Sequence, residues 1–378
     1  TFNMNKKLLF ISGTRADFGK LKSLMIKVDE HPAFDLHIFA TGMHMLSKYG
    51  MTVHEIEKSG FNSIFKYINH NVFDSMDVIL AKTVMGLSDY IKELKPDMIV
   101  VHGDRVEALA GAIVGSLNNI LVSHIEGGEV SGTIDELIRH SVSKMSHIHF
   151  VSNKTAHNRL MQLGEKESSI YEIGSPDLDI MQSRGLPSIE QVKEKYQIPF
   201  DKFSILMHHP VTTELECLEK EISSIVEAMV ESGKSYVVIY PNNDHGSEII
   251  LNAYRKFDGN PNIKIYPSIR FECFLTLLKN SAFMIGNSSA GVREAPFYGL
   301  PSINVGTRQL NRSSASSIIN CKGDVVAILS AIENATEKTF TNTKEFGLGN
   351  SDKLFLSALI DSKLWRISKQ KVFEDLQA

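Results

Sequence analysis

Short apolar runs alternate with helical patterns along most of the chain, and this alternation limits the possible folds more than any other feature. The runs are apolar throughout, as expected of strands that are buried on both faces of a sheet. Such strands separated by helices predict a parallel sheet with helices on both sides. In the first half the predicted strands are 8–12, 36–40, 98–102, 121–124, 149–152 and 169–173, and the helices are 19–28, 78–94, 106–117 and 153–163.

A charged, proline-containing segment from Arg184 to Asp201 interrupts this pattern, which then starts again. Because 378 residues exceed the usual size of a single core, we predict two doubly wound domains over 1–185 and 200–350. Ligands of such sheets bind beyond the carboxyl ends of the strands, so two facing sheets would form one cleft. In the second half the predicted strands are 204–207, 236–240, 263–266, 283–285 and 302–305, and the helices are 219–231, 248–257, 271–280, 290–298 and 324–335.

Composition argues against several classes of partner. The net charge is −4, so no basic surface is predicted for nucleic acid. Cys217, Cys273 and Cys321 lie far apart without a CxxC motif, which predicts a reducing, cytoplasmic environment rather than a disulfide or zinc framework. We find no apolar run of the ~18 residues that a membrane span needs, and the N-terminal residues lead into a strand instead of forming a signal peptide.

Polar motifs follow the predicted strands of the first half. GTRADFGK has neither the dinucleotide-binding glycine pattern nor that of a P-loop. Its Arg15 can donate a pair of hydrogen bonds to a phosphate, although a surface arginine in a tight turn explains the same pattern. In HGDR, Asp104 either caps the helix that follows or takes part in catalysis.

Two motifs of the second half carry similar alternatives. Pro210 holds His209 in an extended conformation, where it can serve as an acid or base or play a structural role. In GNSSAGVREAP, Ser288 and Ser289 at a helix start predict an anion site, and Glu294 could bind a ribose; a serine-capped helix is the alternative. We find no HExxH motif or close His/Cys set, so no zinc site is predicted.

The segment HIEGGEVSGTIDELIRH concentrates acidic residues after a predicted strand. Glu126 follows the strand directly, and Asp135 lies one helical turn before Arg139, so these two can share a helix face. Glu136 points about 100° away from Asp135, which indicates a solvated position. Glu129 fits either a substrate contact or a loop closure.

Together these segments resemble the hydrolysing UDP-N-acetylglucosamine 2-epimerases of bacterial sialic acid synthesis. The resemblance runs from near residue 10 to about residue 312. It implies the GT-B fold, two Rossmann-like domains with the active site in the cleft between them. It also implies a C-terminal helix at about 352–378 that packs on the N-terminal domain, and a homodimer or homotetramer. The matching segments are GTRADFGKLK, TGMHM, HGDRVEALAGA, HIEGGEVSGTIDELIRHSVSKMSHIHFV, GSPDLDIM, HHPVTTE, YPNNDHGSE and MIGNSSAGVREAPFYGLPSINVGTRQ.

The implied reaction converts UDP-N-acetylglucosamine and water to N-acetylmannosamine and UDP. UDP leaves by anti elimination to give a 2-acetamidoglucal, to which water then adds; neither a cofactor nor a metal is expected. The alternatives are the same chemistry on UDP-2,4-diacetamido-2,4,6-trideoxyglucose, for legionaminic acid, and a GT-B glycosyltransferase. The resemblance implies catalytic roles for Asp104, Glu126, Asp135, Arg139 and His209. It implies UDP contacts for Arg15, Gly19, Arg105, Asn242, Ser288, Ser289, Glu294 and Arg308.

Overall fold

A computed structural model describes residues 5–71, 74–131, 133–183 and 185–375. It contains two compact units. The first comprises the described parts of 1–129, 135–182 and 346–378, and the second those of 130–134 and 183–345. Arg184, where the predicted linker begins, lies outside the described residues.

The first unit is built on a parallel sheet of seven strands in the described residues, in the order β3-β2-β1-β4-β5-β6-β7. The strands are β1 (Lys6–Ser12), β2 (Phe34–Ala40), β3 (Ile64–Lys66), β4 (Met98–His102), β5 (Leu121–Ile125), β6 (Ile148–Val151) and β7 (Ile170–Glu172). The helices are α1 (Arg15–Asp29), α2 (Val53–Glu57), α3 (Met76–Leu94), α4 (Val106–Leu117), α5 (Ile134–Met145), α6 (Lys154–Gln162) and α7 (Pro176–Met181). This order places the ends of β1, β4 and β5 side by side.

The second unit has a six-stranded parallel sheet in its described part, in the order β10-β9-β8-β11-β12-β13. The strands are β8 (Ser204–Met207), β9 (Tyr236–Ile239), β10 (Ile263–Tyr266), β11 (Met284–Gly286), β12 (Ser302–Val305) and β13 (Ile318–Cys321). The helices are α8 (Ile189–Tyr196), α9 (Leu215–Glu231), α10 (Ser247–Tyr254), α11 (Phe271–Asn280), α12 (Glu294–Phe297) and α13 (Val325–Glu337). Each unit is therefore a doubly wound, Rossmann-like α/β fold, as predicted.

The helix predicted over 290–298 is wrong. The chain instead forms a 3₁₀ turn at Ser289–Gly291 and a single α-helical turn at α12. Proline is tolerated only in the first turn of a helix, where its missing N–H has no intrahelical acceptor. Pro296 lies in the first turn when α12 begins at Glu294, whereas a helix from Ala290 would place it in the interior.

The C-terminal segment packs into the core of the first unit. Helix α14 (Ser351–Ile360) buries Phe355 and Leu359, and Leu364 follows in a 3₁₀ turn. The helix predicted over about 352–378 thus ends at Ile360, and residues 376–378 lie outside the described range. Among the described residues, none of the helices has the length and apolar character that crossing a membrane requires.

Candidate functional site

Three neighbouring strand ends of the first unit bring Asp17, His102 and Glu126 together. His102 ends β4, Glu126 follows β5, and Asp17 lies in the first turn of α1, whose N-terminus is capped by Thr14. The Nδ1 atom of His102 lies 2.7 Å from Asp17 Oδ1, and its Nε2 atom lies 2.9 Å from Glu126 Oε2. We call these three residues the triad.

The two carboxylates of the triad determine the charge of the imidazole between them. Burial alone would lower the pKa of His102, but Glu126 and Asp17 together raise it to about 9. Two ionised carboxylates can only accept hydrogen bonds, so the ring donates from both nitrogens as an imidazolium. His102 and Asp17 were not among the predicted site residues; the HGDR and GTRADFGK motifs contained the signal.

Glu126 is held in an uncommon backbone conformation with φ of 64° and is 4% exposed. The Ser175 hydroxyl donates to Oε1, while His102 occupies Oε2. The Nη1 group of Arg139 donates to the Glu126 carbonyl oxygen at 2.6 Å. Positive φ costs a non-glycine residue free energy and is common at functional positions, so several contacts fix this carboxylate at the end of β5.

Arg139 also forms an ion pair with Asp104 through Nη2. The guanidinium is buried, whereas the Asp104 side chain is 23% exposed. Arg139 therefore links α5 to the segment after β4 and to Glu126. Asp135 lies in the first turn of the same helix and is half-buried. One buried arginine thus holds the Asp104 carboxylate and the Glu126 backbone carbonyl.

The remaining acidic residues of this segment differ in environment. Glu136 lies 3.5 Å from His140 Nε2 on the partly exposed face of α5. Glu129 is 4% exposed, and its Oε1 atom accepts a 2.8 Å hydrogen bond from Ser152. The structure thus gives Glu129 a buried partner within the first unit.

The first unit contains three residues that are predicted to contact UDP, and two of them form ion pairs with glutamates of the same unit. Arg15 Nη2 lies 2.5 Å from Glu55 Oε1, and Arg105 Nε lies 3.4 Å from Glu107 Oε2. Gly19 lies in the buried part of α1.

In the second unit, His209 is held through its backbone and its ring. Asn287 accepts from the His209 N–H at 2.7 Å and donates to the His209 carbonyl at 2.8 Å. The backbone N–H of Asn242 donates to His209 Nδ1 at 3.0 Å. Because an amide N–H can only donate, Nδ1 is unprotonated and the neutral ring carries its proton on Nε2. His209 therefore presents an N–H donor.

Asn287 organises this part of the second unit. Its carbonyl oxygen accepts from Arg308 Nη1 at 3.2 Å and from Gln309 Nε2 at 2.9 Å. Asn287 and Gln309 were not predicted, although Asn287 stands within the GNSSAGVREAP motif. The structure brings Asn242, His209 and Arg308 together around Asn287; we call these four residues the Asn287 cluster.

The predicted anion site at Ser288 and Ser289 leads into a 3₁₀ turn instead of the predicted helix. Ser288 caps the 3₁₀ turn by accepting from the Ala290 N–H at 3.3 Å, and Ser289 begins that turn. Glu294 begins α12 and is 1% exposed. Because α12 has only one turn, it supplies less helix dipole than the predicted helix would. Within the described residues, no group of three or more His, Cys, Asp or Glu side chains is arranged to hold a metal ion.

Comparison with known proteins shows where this chain belongs. The family model described as UDP-N-acetylglucosamine 2-epimerase matches residues 26–360. The chain belongs to the UDP-N-acetylglucosamine 2-epimerase family. One epimerase relative is the UDP-N-acetylglucosamine 2-epimerase of Neisseria meningitidis serogroup B, 47% identical over 375 residues, which cover 98% of this chain and 99% of the relative.

This chain is also similar to a second relative and to a solved structure of an epimerase. The UDP-N,N'-diacetylbacillosamine 2-epimerase (hydrolyzing) of Legionella pneumophila is 33% identical over 340 residues, covering 89% of this chain and 90% of the relative. The crystal structure of Methanocaldococcus jannaschii UDP-GlcNAc 2-epimerase in complex with UDP-GlcNAc and UDP superposes with a TM-score of 0.80 at 23% identity. The superposition covers 93% of this chain and 99% of the Methanocaldococcus chain. At this level of sequence identity, the comparison shows that the two proteins share a fold.

Proposed function

We propose that this epimerase-family protein converts UDP-N-acetylglucosamine and water to N-acetylmannosamine and UDP. The observation that carries the proposal is the full-length identity of 47% with the UDP-N-acetylglucosamine 2-epimerase of Neisseria meningitidis. The Legionella relative is a hydrolyzing 2-epimerase, which supports release of a free sugar by this chain as well. Supply of N-acetylmannosamine for sialic acid synthesis, a cytoplasmic location and a homo-oligomeric state stay predictions.

The chemistry requires acid–base groups rather than a redox cofactor. The C2 proton of the substrate is not next to a carbonyl, so its removal becomes feasible only as the C1–O bond to UDP breaks. Anti elimination then gives 2-acetamidoglucal, and protonation of C2 from the opposite face with addition of water to C1 gives the epimer. Asp104, Glu126 and Asp135 are the proposed proton-transfer residues. The ion pair of Arg139 with Asp104 supports this assignment, because it favours the ionised carboxylate.

The second unit supplies the proposed contacts to the nucleotide. The Nε2–H donor of His209 suits the departing diphosphate, whose negative charge grows as the C1–O bond breaks. Binding of UDP-GlcNAc and UDP by the Methanocaldococcus protein supports nucleotide binding by this fold. The other proposed nucleotide contacts are Asn242, Ser288, Ser289, Glu294 and Arg308, together with Arg15, Gly19 and Arg105.

The alternative substrate is the diacetamido-trideoxy nucleotide sugar, favoured by the 33% identity with the Legionella relative. The higher identity with the Neisseria relative supports N-acetylglucosamine. Purified protein should be given each nucleotide sugar separately while UDP release is followed. We expect turnover of UDP-N-acetylglucosamine at least tenfold above that of the other sugar. Turnover of the diacetamido sugar alone would overturn the choice, and a requirement for a sugar acceptor would favour a glycosyltransferase.

A further inference from the structure

The His102 imidazolium of the triad carries a proton to which the proposed reaction has not yet given a role. His102 lies between two carboxylates, at 2.7 Å from Asp17 and 2.9 Å from Glu126, and its side chain is 11% exposed. With both carboxylates ionised, the ring carries a proton on each nitrogen. The triad therefore holds one proton more than it would with a neutral imidazole. Such a group can give a proton away but is poorly suited to accept another.

We propose that the triad is a proton relay in which His102 supplies, through Glu126, the proton that is added to C2 of the glucal. This inference rests on the proposed function and assigns the acid of its second step. Glu126 is the catalytic residue, and His102 and Asp17 are positioning residues that act through it. Asp104, paired with Arg139, then serves as a base.

The proposed step conserves atoms and charge. The Nε2–H proton of His102 passes to Glu126 Oε2, and Glu126 transfers a proton to C2. The electron pair of the C1=C2 bond forms the new C2–H bond, which leaves oxocarbenium character at C1. Water adds to C1 and gives up a proton to Asp104. His102 is left neutral with Nδ1–H on Asp17. A solvent proton then restores the imidazolium, and Asp104 returns the proton it took from water to solvent.

The surroundings of the triad favour this direction of proton transfer. Within the described part of the chain, Asp17 from α1 and Glu126 after β5 contact His102 with their carboxylates. His124 on β5 also faces it, but burial lowers the pKa of His124 to about 3, so this ring is neutral. Arg139 from α5 reaches the Glu126 carbonyl and pairs with Asp104. The Ser175 hydroxyl donates to Glu126 Oε1, and Glu126 Oε2 faces the imidazolium.

The test uses His102→Gln in the full-length protein. A glutamine amide can hydrogen-bond to Glu126 but has no acidic proton. We expect UDP release from UDP-N-acetylglucosamine within threefold of the parent rate, since elimination does not need this proton. N-acetylmannosamine formation should fall by about 100-fold to 10,000-fold, the usual effect of losing a general acid, with 2-acetamidoglucal accumulating in the proton NMR spectrum.

His147→Gln is the matched control. His147 is a buried histidine of the same unit; it accepts from the Val122 N–H at 3.0 Å and lies 3.1 Å from the Lys369 carbonyl. Both rates should stay near those of the parent. If His102→Gln formed N-acetylmannosamine at the parent rate without glucal, the relay would be wrong. Equal loss of both rates in a folded variant would also contradict it. Failure of the parent to form N-acetylmannosamine would refute the proposed function itself.

Asp17→Asn tests the relay if His102→Gln does not fold. The asparagine keeps a hydrogen-bond acceptor but removes the charge that helps raise the pKa of His102 to about 9. The relay works in its protonated form, so parent activity should fall as the pH rises through about 9. In Asp17→Asn this alkaline limb should move at least one pH unit lower. An unchanged pH profile in the folded variant would contradict the proposal.

Discussion

Arg139 and Asp104 form an ion pair between α5 and the end of β4, and the same guanidinium holds the Glu126 carbonyl at 2.6 Å. One side chain thereby contacts two of the three residues to which we assign proton transfer, Asp104 through its carboxylate and Glu126 through its backbone carbonyl. The planar guanidinium can serve both partners at once, which a lysine ammonium cannot do in the same geometry.

Arg139→Lys should therefore keep the fold but misplace Asp104 and Glu126. We expect kcat for UDP release to fall about 100-fold, because a displacement of about 1 Å in a catalytic group can cost that much. Arg159→Lys is the control, because Arg159 donates a long hydrogen bond of 3.4 Å to the Gly128 carbonyl. Equal kcat for the two variants would show that Arg139 does not order the catalytic carboxylates.

His209 should be a neutral ring with its proton on Nε2, because the Asn242 N–H occupies Nδ1. Nitrogen-15 NMR of histidine-labelled protein should show this tautomer. His209→Asn should lower kcat by at least about 100-fold through loss of the Nε2 donor. His245→Gln, at an exposed position nearby in the sequence, should leave it unchanged. Near-parental turnover in His209→Asn would remove His209 from the mechanism.

Gly286 should be irreplaceable at the end of β11. Its φ is 127°, and a Cβ atom there would lie 2.1 Å from the Met207 carbonyl oxygen. Gly286→Ala should destabilise the second unit by at least about 3 kcal/mol, through backbone strain and the clash together. Gly233→Ala separates backbone strain from the clash, since Gly233 has φ of 62° with open space around it. This substitution should therefore cost only about 1 kcal/mol. Urea unfolding measures both, and equal losses would exclude the clash.

Lys371 should anchor the C-terminal segment to the first unit. Its ammonium donates to Glu165 Oε2 at 2.6 Å and to the Lys144 and Ser146 carbonyls at the end of α5. Lys371→Met should cost about 3 kcal/mol, because it leaves the buried Glu165 carboxylate with less compensation. Lys369→Met, which changes an exposed side chain, should cost less than about 0.5 kcal/mol. Equal urea midpoints for both variants would contradict the anchoring role.

The stabilisation from Glu165 should depend on pH. Burial alone would raise the pKa of Glu165, but His149 and Lys371 lower it from 4.5 to about 2. Its ionised form is thus favoured in the folded state, so this contribution is present above pH 4.5 and is lost as the pH falls towards 2. The difference in unfolding free energy between the parent and Glu165→Gln should shrink over that range. A constant difference would show that the ionised carboxylate is not the stabilising form.

The sequence predicted the two doubly wound sheets because continuous apolar strands and intervening helices are local patterns. Strands β3 and β13 were missed, since both are short and only partly buried. The triad was missed for a different reason: 85 residues separate His102 from Asp17, and 24 separate it from Glu126. The adjacency of β1, β4 and β5 brings them together, and this strand order is a tertiary property that no local pattern specifies.

Local sequence patterns predicted the contacts of some site residues and not those of others. Asp135 and Arg139 lie on one helix, as predicted, yet Arg139 reaches Asp104 from a different strand end. Ser288 caps a turn as a serine in this motif commonly does, but Pro296 shortens the helix that follows. Contacts across the sheet therefore required the structure, whereas caps and turns could be predicted from the residues themselves.

A proton NMR time course of the purified protein with UDP-N-acetylglucosamine in heavy water tests the proposed reaction most directly. Elimination and hydration remove the original C2 proton and replace it from solvent. We predict that UDP and free N-acetylmannosamine form together and that the N-acetylmannosamine carries deuterium at C2 from the first turnover. N-acetylmannosamine that retained the original proton at C2, or release of UDP without any free 2-epimerised sugar, would contradict the proposed reaction.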